Sequence, residues 1–181
     1  DTRDIKSTVR QLKSLEDAGV DIVRLAVLDM DAAKSIKEIK SQTKIPLIAD
    51  IHFDYRLALE SIKNGIDALR LNPGNIKEKV KEVIKEAKAR DLTIRVGVNG
   101  GSLDRAIYKE VSPENMVKSA GEHIKLMEDL NFTNIKVSLK SSDIKTTIDA
   151  NILFRKKYDY PIHLGVTEAG TLRSSLIKST S

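Results

Sequence analysis

The stretch T-I-R-V-G-V-N, residues 93–99, sets Ile94, Val96 and Val98 on one side of an extended chain and Arg95, Gly97 and Asn99 on the other. Successive side chains of a strand point to opposite faces. An arginine and an asparagine behind a wholly apolar face need a reason, because a charge buried without a partner is very costly. The same division recurs along the chain. Asp50 and His52 oppose Ala49 and Ile51, and Arg70 and Asn72 oppose Leu69 and Leu71. Lys136, Ser138 and Lys140 oppose Ile135, Val137 and Leu139, while His163, Gly165 and Thr167 oppose Ile162, Leu164 and Val166.

These runs belong to a repeating βα pattern. Strand-like segments begin at residues 21, 45, 67, 93, 134 and 161, so their starts lie 24, 22, 26, 41 and 27 residues apart. Helix-period segments fill the intervals at 2–19, 30–42, 54–65, 75–91, 112–131 and 143–158. Gly19 and Gly65 read as helix stops, and Ser112 followed by Pro113 and Glu114 reads as a helix start. Such alternation requires a parallel sheet, either a doubly wound open sheet or a (β/α)8 TIM barrel. An open parallel sheet is covered by helices on both faces and is apolar on both. A barrel has an inside, and a polar inside is allowed where it is a site. The alternation therefore predicts an α/β TIM barrel. A whole barrel needs eight strands in roughly 250 residues, and about six are legible in 181. The chain starts at a helix without Met and ends in RSSLIKSTS as another helix begins, so it reads as one partial barrel domain over residues 1–181, lacking its first and last strands.

Bulk composition narrows the chemistry. No apolar run approaches the ~20 residues of a membrane span, and DTRDIKSTVRQ is too polar for a secretory leader; a soluble, cytoplasmic protein is expected. The chain has no cysteine, which excludes disulfides and thiolate-held metals within it. Its net charge of +5 sits largely on amphipathic helix faces such as NIKEKVKEVIKEAKARD, and 4% aromatics without tryptophan supply no stacking platforms for nucleic acid. No cluster with metal-ligand spacing stands out.

Four cations stand at strand positions on the polar face: Arg24, Arg70, Arg95 and Lys140. Arginine keeps its charge and offers a planar fork that matches phosphate oxygens, so several converging on one hollow would imply a multiply charged oxyanion. The competing reading is an internal lattice of arginines and acids, for which Asp50 and Glu168 are the main local carboxylates. The turn in RLNPGN, residues 70–75, would add backbone donors at a helix start, and N-G-G-S at 99–102 reads as a flexible loop. Glu168, after HLGVT, is either a proton-transfer group at a barrel mouth or an acid favouring a helix start. His123, Met116 and Met127 read as helix-face and packing residues.

Four motifs in fixed order, IADIHFDYR (48–56), LRLNPGNI (69–76), IRVGVNGGSL (94–103) and HLGVTEAGTLRS (163–174), closely resemble the amino-terminal barrel of the 4-hydroxy-3-methylbut-2-enyl diphosphate synthase family. The resemblance covers essentially the whole chain. It implies an oxidoreductase of the non-mevalonate isoprenoid pathway, which reduces 2-C-methyl-D-erythritol 2,4-cyclodiphosphate with ring opening and loss of a hydroxyl. It implies substrate binding by Arg24, Arg70, Asn72, Arg95, Asn99 and Lys140, with Asp50, His52 and His163 lining the same pocket and Glu168 delivering a proton. It further implies a [4Fe-4S] cluster in a carboxyl-terminal domain that this chain lacks, a homodimer, and ferredoxin or flavodoxin as electron donor. The barrel alone would then be inactive. Two other readings remain open here: an aldolase-like barrel with Lys140 as Schiff-base lysine, and a non-catalytic barrel that binds a phosphorylated ligand.

Overall fold

Most of the helices begin at a residue whose side-chain oxygen accepts a backbone N–H that the first turn leaves unpaired. Asp4 accepts from Ser7, Asp29 from Ala32, Asp54 from Arg56, Ser112 from Asn115 and Asp143 from Thr146. These caps open α1 (Ile5–Asp17), α2 (Met30–Lys40), α3 (Tyr55–Lys63), α5 (Pro113–Glu128) and α6 (Ile144–Lys157) in a computed structural model that describes residues 1–52, 54–71, 79–104 and 106–180. Two further helices are α4 (Val80–Ala89) and α7 (Leu172–Thr180).

The helix ends are equally local in origin. Gly19 and Gly65 take positive φ of 79° and 87°. Around each, the two N–H groups past the helix end return to its last carbonyls: Gly19 to Glu16 and Val20 to Leu15, Gly65 to Ile62 and Ile66 to Ser61. Asp91 (φ 52°) and Asn131 (φ 55°) close α4 and α5 by the same pair of bonds. Short polar side chains tolerate that conformation better than branched ones. Glycine marks two of these stops in the sequence; the other two are spelled with residues that also occur inside helices.

The strands are β1 (Val23–Ala26), β2 (Leu47–Asp50), β3 (Ala68–Leu71), β4 (Thr93–Asn99) and β5 (Ile135–Lys140). The chain divides into two compact units, Asp1–Ile94 and Arg95–Ser181, and β4 runs through the division. In the first unit β1, β2 and β3 pair in parallel and in chain order, with Ala26 beside Asp50 and Asp50 beside Arg70. Their apolar face, with Ala49, Ile51, Leu69 and Leu71 no more than 1% exposed, shares a core with Ala33 and Ile36 of α2, Ala58 and Ile62 of α3, and Val83 and Ala87 of α4. In the second unit Ile135, Val137 and Leu139 are buried with Met116, Ile124 and Met127 of α5 and Phe154 of α6. The two methionines expected to pack do so.

The sixth predicted strand, 161–167, is reduced to one parallel bridge between Val137 and Ile162, held by Val137 N donating to Pro161 O and His163 N donating to Val137 O. A run paired along one side with a glycine in it gains few ladder bonds for the backbone order it needs. Leu164, on its apolar face, is 70% exposed. Among the described residues no helix is long and apolar enough to cross a membrane.

Candidate functional site

Asp50 ends β2 and Arg70 lies next to it on β3 because the parallel register makes them lateral neighbours. Arg70 Nη1 donates to Asp50 Oδ1 at 3.1 Å, and Arg24 Nε stands 3.3 Å from Asp50 Oδ2. His52 Nε2 is 3.5 Å from Asp50 Oδ1. The Asp50 side chain is 11% exposed, whereas Arg24 and His52 are half exposed. Two guanidiniums share one carboxylate here, so these three groups keep one positive charge between them. Part of the acid–arginine lattice exists, yet it falls one carboxylate short of neutralising itself. A cavity of about 430 Å³ between α1 and β1 has Arg24, Arg3 and Asp1 in its wall.

The second unit gathers a second set. Arg95 and Ser138 are buried on the polar faces of β4 and β5, at 6% and 5% exposure. Toward the carboxyl ends the side chains open outward: Asn99 and Lys140 are half buried and His163 is exposed. Asn99 Nδ2 donates to Thr167 Oγ1 at 3.4 Å, and Asn99 Oδ1 accepts from Gly101 N at 3.2 Å. The segment expected to be a flexible loop is thus one 3-10 turn, Gly100–Ser102, secured by its own asparagine. Glu168 Oε1 lies 3.9 Å from the point a Cβ on Gly101 would occupy. Glu168 itself adopts φ 51°, followed by Gly170 at φ 82°. Unlike Asp91 and Asn131, this residue closes no helix, so the left-handed backbone is a local strain on a candidate acid. Such strain collects where a structure over-determines a functional geometry.

Asn72, with the Pro73–Gly74 turn, lies outside the described residues. Of the other candidates, the first unit brings Arg24, Asp50, His52 and Arg70 together, and the second brings Asn99 and Glu168 beside Gly101 and Thr167. Sequence reasoning did not single out Thr167 or Gly165; both share the polar parity of their run, which is the signal that carries them. His123, read as a helix-face residue, is half buried in α5, and this burial depresses its pKa from the ordinary 6.5 against the opposing charge of Glu122.

With no cysteine in the chain, and no group of three histidine or acidic side chains arranged to hold a metal among the described residues, the residues present do not fit an iron-sulfur cluster.

The chain is 56% identical to the "4-hydroxy-3-methylbut-2-en-1-yl diphosphate synthase (flavodoxin)" of Clostridium acetobutylicum, over 99% of this chain and 53% of that protein. It is 54% identical to the protein of the same name from Thermodesulfovibrio yellowstonii, over 99% and 53%. The chain therefore spans about half the length of these curated relatives. Among solved structures, a Xanthomonas albilineans dihydropteroate synthase superimposes with TM-score 0.71 at 10% identity, covering 97% of this chain and 74% of the other. A Clostridium difficile type I 3-dehydroquinate dehydratase does so with TM-score 0.67 at 18% identity, covering 96% and 74%. At such identities the likeness is one of fold. The family model described as the GcpE TIM-barrel domain matches residues 1–181, and the chain belongs to that family.

Proposed function

We propose that this chain is the diphosphate-binding barrel of a 4-hydroxy-3-methylbut-2-en-1-yl diphosphate synthase, and that it holds 2-C-methyl-D-erythritol 2,4-cyclodiphosphate during reduction. The observation that carries the reading is 56% identity to a synthase along 99% of the chain. The surplus positive charge around Asp50 supports it, since a cyclic diphosphate is a small, doubly charged oxyanion.

The overall change takes up two electrons and two protons. One ring C–O bond to phosphate breaks, both phosphates remain as the diphosphate of the product, and one hydroxyl leaves as water. Arg24, Arg70, Arg95 and Lys140 would bind phosphate oxygens, with Asn72 and Asn99 as neutral donors and His52 and His163 lining the site. Glu168 would protonate the departing hydroxyl. Asp50 would not touch the phosphates, whose charge it repels; it would hold the Arg24 and Arg70 forks in place. The electrons would enter from protein outside these 181 residues, with flavodoxin, which is part of the relatives' names, as donor and ferredoxin as the alternative. A cytoplasmic homodimer completes the reading.

The test is made on the full-length protein that carries this chain. Calorimetric titration with the cyclodiphosphate should show binding that Arg70→Met weakens, and reduced flavodoxin should drive turnover. A protein with its redox centre intact that neither binds nor turns over the cyclodiphosphate overturns the reading.

A further inference from the structure

Gly165 lies on the 161–167 run, whose register with β5 is set by the parallel bridge Val137–Ile162. Three residues further along both segments, that register brings Gly165 alongside Lys140. A Cβ built on Gly165 would stand 2.8 Å from Lys140 Nζ and 3.2 Å from Lys140 Cε. Carbon does not approach nitrogen that closely without something moving, so the ammonium in its observed place and a side chain at 165 exclude one another.

The backbone supplies no other reason for glycine. Gly19 and Gly65 have φ of +79° and +87° with nothing within 4 Å of an added Cβ, so there glycine serves the turn. Gly165 lies outside the left-handed range and is crowded by one side chain tip. At this position glycine serves the space.

We propose that Gly165 is a positioning residue: its missing side chain lets Lys140 lay its ammonium across the neighbouring backbone, where it meets the anionic substrate. The proposal rests on the reading of Lys140 as a phosphate-binding group. Lysine is a point charge on a flexible four-carbon stem, and something must choose its direction. Arg24 and Arg70 are directed by the Asp50 carboxylate. Lys140 needs room as well, whatever else it touches: the surface beside β5 is open to the amine where any Cβ would close it. A methyl group at 165 pushes the ammonium aside, and a misplacement near 1 Å in a positioned group costs up to about 100-fold. Because the clash is with the end of a flexible chain, the fold yields easily.

A double-mutant cycle in the full-length protein tests this, using wild type, Gly165→Ala, Lys140→Met and the double variant. Each is titrated with the cyclodiphosphate by calorimetry, assayed for KM and kcat, and melted. Gly165→Ala is expected to weaken binding and raise KM about tenfold, with Tm within about 2 °C of wild type. In the Lys140→Met background the same change should have no effect on binding. A crystal structure of Gly165→Ala should show Lys140 Nζ moved. Equal losses with and without Lys140, or an ammonium unmoved in that crystal, overturn the positioning role while leaving the substrate reading intact. Lys140→Met that binds like wild type overturns the substrate reading of Lys140 and this proposal with it.

Discussion

Arg70 and Asp50 are joined across neighbouring parallel strands, Nη1 to Oδ1 at 3.1 Å, with Arg24 on the other carboxylate oxygen at 3.3 Å. Asp50 is the better buried partner of both pairs. Arg70 spends one N–H on the carboxylate, and that bond fixes the plane in which the rest of its guanidinium lies, while Arg24 is held beside the same group as an ion pair. A carboxylate that orients two cations without neutralising both is suited to a site that must stay attractive to an anion.

Replacing Asp50 by Ala should therefore cost stability and affinity together. With Arg24 half exposed and water able to screen it, the stability loss is expected at about 1–3 kcal/mol, below that of a fully buried pair. Affinity for the cyclodiphosphate should fall about 10- to 100-fold as the forks lose their directions. Urea denaturation and calorimetry measure the two effects. Unchanged binding by a folded Asp50→Ala protein would mean that Asp50 orients nothing the substrate uses.

Glu168 offers a separation of stability from activity. In the left-handed region its backbone costs roughly 1–2 kcal/mol relative to an ordinary conformation. Glu168→Gly should melt no lower than wild type, since glycine takes φ 51° without a steric penalty. Glu168→Gln preserves size and polarity but cannot give up a proton in the same way; its turnover is expected to drop about 10²- to 10⁴-fold. Binding should change by no more than about threefold. Single-turnover measurement with reduced flavodoxin checks this, and wild-type rates in Glu168→Gln would remove the residue from proton transfer.

His123 sets a pH dependence that owes nothing to the substrate. Burial holds its folded-state pKa below the ordinary 6.5. The unfolded chain therefore binds this proton more readily, and stability rises with pH across that window. The imidazole is without penalty well above pH 6.5, and its contribution is lost as pH falls through 6.5 toward the depressed folded value. His123→Gln should flatten the decline in Tm between pH 7.5 and 5.5, as followed by circular dichroism. An undiminished decline in the variant would place the acid sensitivity elsewhere.

Much of this protein is written in short-range pattern. Alternation along 93–99 is enough to assign Ile94, Val96 and Val98 to one face and Arg95 and Asn99 to the other, and the caps at Asp4, Asp29, Asp54, Ser112 and Asp143 need only the residues two or three positions ahead. The four motifs in order were sufficient to reach the family. Other features needed folded neighbours. The share that Arg24 and Arg70 take of Asp50 links positions 20 and more residues apart, through a strand register that no local periodicity contains. Gly165 resembles any strand glycine until Lys140 is laid beside it, and Glu168 resembles any exposed acid until its φ is known. Helix caps and face alternation depend on chemistry within a turn or two of the chain. The directions of charged side chains depend on which distant strand lies alongside, and that is a property of packing.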